Sequence, residues 1–179
     1  MIHQITSDFL SLADIKSILE SNSKLELSNE SADKIVACRA YLDEKVKRSE
    51  APIYGINTGF GSLCDTEIDQ QDLEQLQWNL VTSHACGMGD EVPKDIVKLM
   101  ILLKIQGLSQ GHSGVQLVTV QRLIDFYNEG VYPIIYEQGS LGASGDLAPL
   151  AHLSLPLLGE GEVELNGERI TGAVLNQQM

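Results

Sequence analysis

Cysteine is scarce in this chain: only Cys38, Cys64 and Cys86 occur, an odd number without metal-ligand spacing. That argues against a disulfide-built scaffold and a cysteine zinc site, and reduced thiols of a cytosolic protein are expected. Positive charge is scarce too. Lys and Arg total 12 against 25 Asp and Glu, a formal net charge of -13, which speaks against nucleic acid or an anionic membrane as a partner. No uninterrupted apolar run reaches spanning length, and the opening residues lack the basic-then-apolar pattern of a leader, so the expectation is a soluble, cytoplasmic protein. Internal repeats, low-complexity stretches and metal-binding constellations are likewise missing from the pattern.

What the chain has is helical periodicity, over 179 residues that are 43% apolar, enough for one sizeable domain. Ser11 heads a helix, with Asp14 at the capping-box position and Ile15, Ile18 and Leu19 on one face. Ser28 or Asn29 starts a longer one to about Arg48, whose charges read as a solvated face. Asp69 or Asp72 caps a third, with Leu73, Leu76, Leu80 and Val81 on its apolar side and His84 at its end. Pro93 stands in the first turn of a fourth, apolar nearly all round from Ile96 to Ile105 and broken by Gly107 and Gly111. Ser113 reads as the N-cap of a helix from Val115 to Asn128, closed by Gly130. Residues 131–135 form an extended run, and 163–170 alternate around Asn166-Gly167 as a type I′ hairpin does. The expected architecture is mainly α, with one or two small β-ribbons.

Two local patterns invite chemistry and fail on spacing. Gly55, Gly59 and Gly61 are not arranged as G-x-G-x-x-G, and no Gly-Lys-Ser/Thr follows, so a phosphate cradle is poorly supported. Gly111-His112-Ser113-Gly114 starts like a hydrolase elbow, but Val115 stands where the second Gly must be. The densest stretch is Gly139-Ser140-Leu141-Gly142-Ala143-Ser144-Gly145-Asp146, running on through Leu147-Ala148-Pro149-Leu150-Ala151 to His152. Its glycines free the backbone for sharp bends, Asp146 reads as an N-cap, and Pro149 is tolerable in the first turn of the helix that follows. That helix would direct its positive end at Ala143-Ser144-Gly145. On local chemistry alone this is a tight, capped loop.

The run 139–152 is similar, position by position, to the signature of the aromatic amino-acid ammonia-lyases and aminomutases. Tyr54-Gly55-Ile56-Asn57-Thr58-Gly59-Phe60-Gly61 resembles a second block of that family, and residues 79–87 resemble its substrate-selecting segment. The resemblance runs from about Tyr54 onward. It implies that Ala143, Ser144 and Gly145 become a methylidene-imidazolone: the Gly nitrogen attacks the Ala carbonyl carbon, and two waters leave, one with the Ser hydroxyl. It also implies a proton-handling role for Asp146 and a catalytic role for Tyr54 as base or acid. Substrate contacts fall to His84, Asn79 and Leu80. A Ser-His pair such as Ser83-His84 goes, within the family, with members acting on histidine.

By that resemblance the reaction is elimination of ammonia from L-histidine to trans-urocanate by a cytoplasmic homotetramer, through attack of the substrate's amino group or ring on the methylidene carbon. Family members are far longer, so residues 1–179 are expected to be the N-terminal portion of such an enzyme. Alone they are expected to be inactive and to keep 143–145 as ordinary peptide. Three alternatives stay open: action on tyrosine or phenylalanine, a serine hydrolase using Ser144 or Ser113, and a helical module without chemistry. Intact mass separates the last two from a lyase, since only the ring costs two waters.

Overall fold

The computed structural model describes residues 1–48, 51–59, 65–66, 68–139 and 147–179. The elements in chain order are β1 (Ile2–Ile5), α1 (Leu12–Glu20), β2 (Lys24–Leu27), α2 (Asn29–Arg48), α3 (Leu73–His84), β3 (Met88–Glu91) and α4 (Lys94–Leu108). There follow α5 (Leu117–Glu129), β4 (Tyr132–Pro133), β5 (Tyr136–Gln138), α6 (Leu147–Ser154), β6 (Glu162–Leu165), β7 (Glu168–Thr171) and α7 (Gly172–Gln178). Helices dominate, as expected. The strands form three small sheets among the described residues: parallel β1–β2, antiparallel β3–β5, and β4–β6–β7. The expected hairpin is β6–β7, with Asn166 at φ 53° and Gly167 at φ 82°, the two positive values that a type I′ turn needs. The other pairings were not legible, because strands of four residues or fewer show too little alternation.

The chain divides into two compact units, the first comprising Met1–Asp43, Pro93–Tyr132 and Glu164–Arg169. Here β1, α1 and β2 make a parallel crossover. The capping box at Ser11 is formed, with the Ser11 hydroxyl accepting from the Asp14 amide at 3.2 Å and Asp14 accepting from the Ser11 amide at 3.0 Å. The Ser11 hydroxyl, then its amide, holds the Asp14 carboxyl below the usual range. Helices α4 and α5 supply most of this unit's core: Val97, Ile101, Leu102 and Ile105 from one, Val120, Leu123, Ile124, Phe126 and Tyr127 from the other. Asn128 closes the edge of β2, its side-chain amide bonding both the amide and the carbonyl of Leu25 at 2.7 and 2.9 Å.

Three helix boundaries differ from expectation. Gly107 does not break α4, which runs on to Leu108, because four buried apolar side chains outweigh one poor helix former. Helix α5 begins at Leu117 after Gln116, and Ser113 only meets the Val115 amide at 3.4 Å. Pro93 precedes α4 at its N-cap. Gly130 does cap α5, at φ 67°.

The second unit comprises Glu44–Val92, Pro133–Val163 and Ile170–Met179. Its α3 follows a 3-10 turn, Gln70–Asp72, and Asp72 stands at the N-cap without a side-chain hydrogen bond. Helix α3 packs on α6, and both pack on the 3-10 turn Leu155–Leu158, which also receives α7. Ile135, Ala148, Ala151, Leu153, Val163 and Leu175 are among its buried apolar residues.

Candidate active site

The described candidate residues, Tyr54, Asn79, Leu80 and His84, belong to the second unit. Ala143, Ser144, Gly145 and Asp146, including the expected N-cap, lie outside the described residues. The rest of the site is organised along α3. Gln77, Leu80, Val81 and His84 fall at i, i+3, i+4 and i+7, so one face of the helix carries all four. From that face the Gln77 side-chain amide donates to the carbonyls of Gly55 and Ile56 at 3.1 and 3.2 Å. This ties the turn bearing Tyr54 to α3 two helical turns before His84, about 10 Å along the axis.

The turn itself is built from within. The Ile53 amide donates to Asn57 Oδ1 at 2.6 Å, and the Gly55 amide donates to Thr58 Oγ1 at 3.1 Å. Asn57 and Thr58 are buried while Tyr54 is 61% exposed, so the polar residues hold the backbone and the tyrosine side chain projects.

His84 ends α3. Its Nδ1 lies 2.6 Å from the Leu80 carbonyl and 3.3 Å from Ser83 Oγ. A carbonyl only accepts, so in the neutral ring Nδ1 carries the proton and Nε2 is the acceptor. Leu80 is half-buried and contributes that carbonyl. Asn79 lies on the opposite side of the helix from His84 and accepts from Gln75 at 2.8 Å. Leu80 and His84 thus share one face of α3, Gln77 of that face bonds the turn next to Tyr54, and Asn79 lies off it. A cleft of ≈ 360 Å³ lined by Gln71, Glu74, Gln75 and Trp78 holds none of the candidate residues.

Beyond His84 the chain turns at Ala85–Gly87 and enters β3, which pairs with β5 in the register Met88 to Gln138 and Glu91 to Tyr136. The turn is crowded. A Cβ on Gly139 (φ 136°) would lie 2.8 Å from the Gly87 Cα and 3.4 Å from the Ala148 Cβ. Gly139 is therefore packed closely against Gly87 and Ala148 at the turn that follows His84. His152 on α6 reaches the same turn, its Nε2 accepting from the Gly87 amide at 2.9 Å.

A sequence model of the family described as aromatic amino acid lyase matches residues 10–179. The chain belongs to that family. It is 44% identical over 172 residues to the histidine ammonia-lyase of Natranaerobius thermophilus, covering 96% of this chain and 34% of that protein. It is 51% identical over 162 residues to the histidine ammonia-lyase of Legionella pneumophila, covering 90% and 32%. Among solved structures, histidine ammonia-lyase from Trypanosoma cruzi superposes with a TM-score of 0.85 at 34% identity, covering 99% of this chain and 34% of that one. The chain spans about a third of the length of these relatives.

Family membership accounts for the motif residues but not for two that the geometry adds. Gln77 had a legible signal, seven residues before His84 on the same face. His152 stands inside the family's signature run, yet its bond to Gly87 joins residues 65 apart and leaves no local mark. Cys38 and Cys86 are free thiols, and Cys64 lies outside the described residues. Among the described residues no helix is long and apolar enough to cross a membrane.

Proposed function

We propose that the intact protein eliminates ammonia from L-histidine to give trans-urocanate, and that this chain carries the imidazole-selecting and electrophile-forming part. The observation that carries the reading is the setting of His84. Its proton is committed to the Leu80 carbonyl, which makes Nε2 an acceptor on the face that also holds the Tyr54 turn. A substrate imidazole offers an N–H to such an acceptor, whereas a phenyl ring offers none. The histidine ammonia-lyases among the relatives support the same choice.

Ala143, Ser144 and Gly145 are read as the source of a methylidene-imidazolone, and the described residues fit such a group. Gly139 lies close to Ala148 and Gly87, and it is held in a backbone conformation that side chains disfavour. When formed, the group supplies an electrophilic carbon that takes electron density from the substrate, so that ammonia can leave. His84 would orient the substrate ring, with Leu80 presenting the carbonyl that fixes the His84 tautomer. Tyr54, projecting from its turn, would move a proton to or from the substrate. Asp146 would assist proton movements as the ring forms. Asn79, which accepts from Gln75, would contact the substrate alongside His84 and Leu80. The same reading makes the enzyme a cytoplasmic homotetramer with neither nucleic acid nor membrane as a partner.

Ammonia release by the intact protein from histidine, tyrosine and phenylalanine tests the proposal. Histidine should be strongly preferred. A preference for tyrosine or phenylalanine would overturn the reading of His84, and an intact mass without the loss of two waters would overturn the electrophile.

A further inference from the structure

His152 is the buried histidine of the second unit, 8% exposed, and a satisfied core side chain is the simplest account of it. Its contacts say more. The ring stands edge-on to Tyr136, with centroids 5.3 Å apart at 77°, and its hydrogen bond runs to the Gly87 amide. Burial lowers its basicity, which keeps Nε2 available as an acceptor. Gly87 lies three residues past His84, in the turn where α3 ends. Up to that point the turn is held by weak means: the Ala85 amide reaches the Val81 carbonyl at 3.2 Å, and the Cys86 amide the His84 carbonyl. No residue of α3 is fully buried, so its packing on α6 anchors this end of the helix only in part. The room for the bond is set by glycine, because a Cβ on Gly87 would lie 2.9 Å from His152 Nε2.

We propose that His152 is a positioning residue: by accepting the Gly87 amide it fixes the turn 85–87, and with it the place of the His84 imidazole that receives the substrate. The inference rests on the proposed role of His84 in histidine deamination. A phenylalanine at 152 would keep an aromatic ring in the core but strip the Gly87 amide of its acceptor. A glutamine would return a carbonyl oxygen to the same neighbourhood.

The test is the steady-state kinetics of the intact protein on histidine, for the wild type, His152→Phe, His152→Gln and Gly87→Ala. His152→Phe should raise KM about tenfold, the cost of one hydrogen bond's worth of misplacement, with kcat little changed. His152→Gln should return KM most of the way, which a purely space-filling role would not do. Gly87→Ala, which presses a methyl group on the same bond, should raise KM as well, and it decides the matter if His152→Phe does not fold. An unchanged KM in whichever of these two variants folds, or a fall confined to kcat, overturns the positioning role alone. Wild-type protein that leaves histidine untouched overturns the proposed function, and this role with it.

Discussion

Helices α5 and α3 are nearly equal in length, 13 and 12 residues, and both carry apolar side chains at helical spacing, yet they are used differently. Helix α5, in the first unit, buries Val120, Leu123, Ile124, Phe126 and Tyr127 and ends on a left-handed glycine. Helix α3, in the second unit, buries no residue fully, and its side chains go to hydrogen bonds with the Tyr54 turn and to the presentation of His84. A helix that fills a core is fixed by apolar burial, which is non-directional and large. A helix that presents chemistry is fixed by a few directional bonds, each small, and its position depends on every one of them.

The sharpest break between the two regions is in what a single substitution does. In the proposed function Ser144→Ala removes the oxygen whose departure would make the alkene, so turnover by the intact protein should fall by orders of magnitude while its circular dichroism stays native. Near-normal turnover in that variant would refute the electrophile. In the first unit a single substitution acts on stability. Phe126 is fully buried, and Phe126→Ala should cost about 3–5 kcal/mol in chemical denaturation. Leu76→Ala on half-buried α3 should cost clearly less, and equal costs would erase the distinction between the helices.

His84→Leu sharpens the comparison from the other side. In its proposed role His84 makes one polar contact to the substrate, so without it histidine affinity should weaken about tenfold with the melting temperature nearly unchanged. A large loss of stability would make His84 a structural residue. Gly107→Ala tests the first unit's tolerance: nothing lies within 4 Å of an added Cβ, so the helix should gain roughly 0.5–1 kcal/mol in denaturant. A loss would mean that this glycine serves a purpose that the packing does not reveal.

Legibility followed the same division. The capped and periodic elements could be read from local chemistry: the Ser11 box, the Gly130 cap and the Asn166-Gly167 hairpin each depend on residues within a few positions of one another. The candidate site was readable only as motif, because what assembles it is long-range. Gln77 reaches back to Gly55, Gly139 presses on Gly87, and His152 takes the Gly87 amide. None of these pairs has a periodicity. The Ser113 cap failed for a related reason: a good capping residue was present, but the chain had two turn glycines to place first, and Gly111 and Gly114 both adopt positive φ against α2.

The smallest expected effect is the pH dependence of the second unit. Burial lowers the pKa of His152 below the ordinary histidine value of 6.5, so the folded state favours the neutral ring more than the unfolded state does. The sign follows from linkage: this contribution is fully present above pH 6.5 and is lost as pH falls through the folded-state value, because the unfolded chain takes up the proton first. Protonation also turns Nε2 from acceptor to donor, which opposes the Gly87 amide directly. Wild-type protein should therefore lose melting temperature faster on acidification below pH 6.5 than His152→Gln, whose amide keeps its acceptor at any pH. The difference between the two melting curves isolates this histidine from His3, His84 and His112, which both proteins share. Parallel curves would mean that the Gly87 bond is not sensitive to the charge on His152, and that the end of α3 is held by its packing on α6 instead.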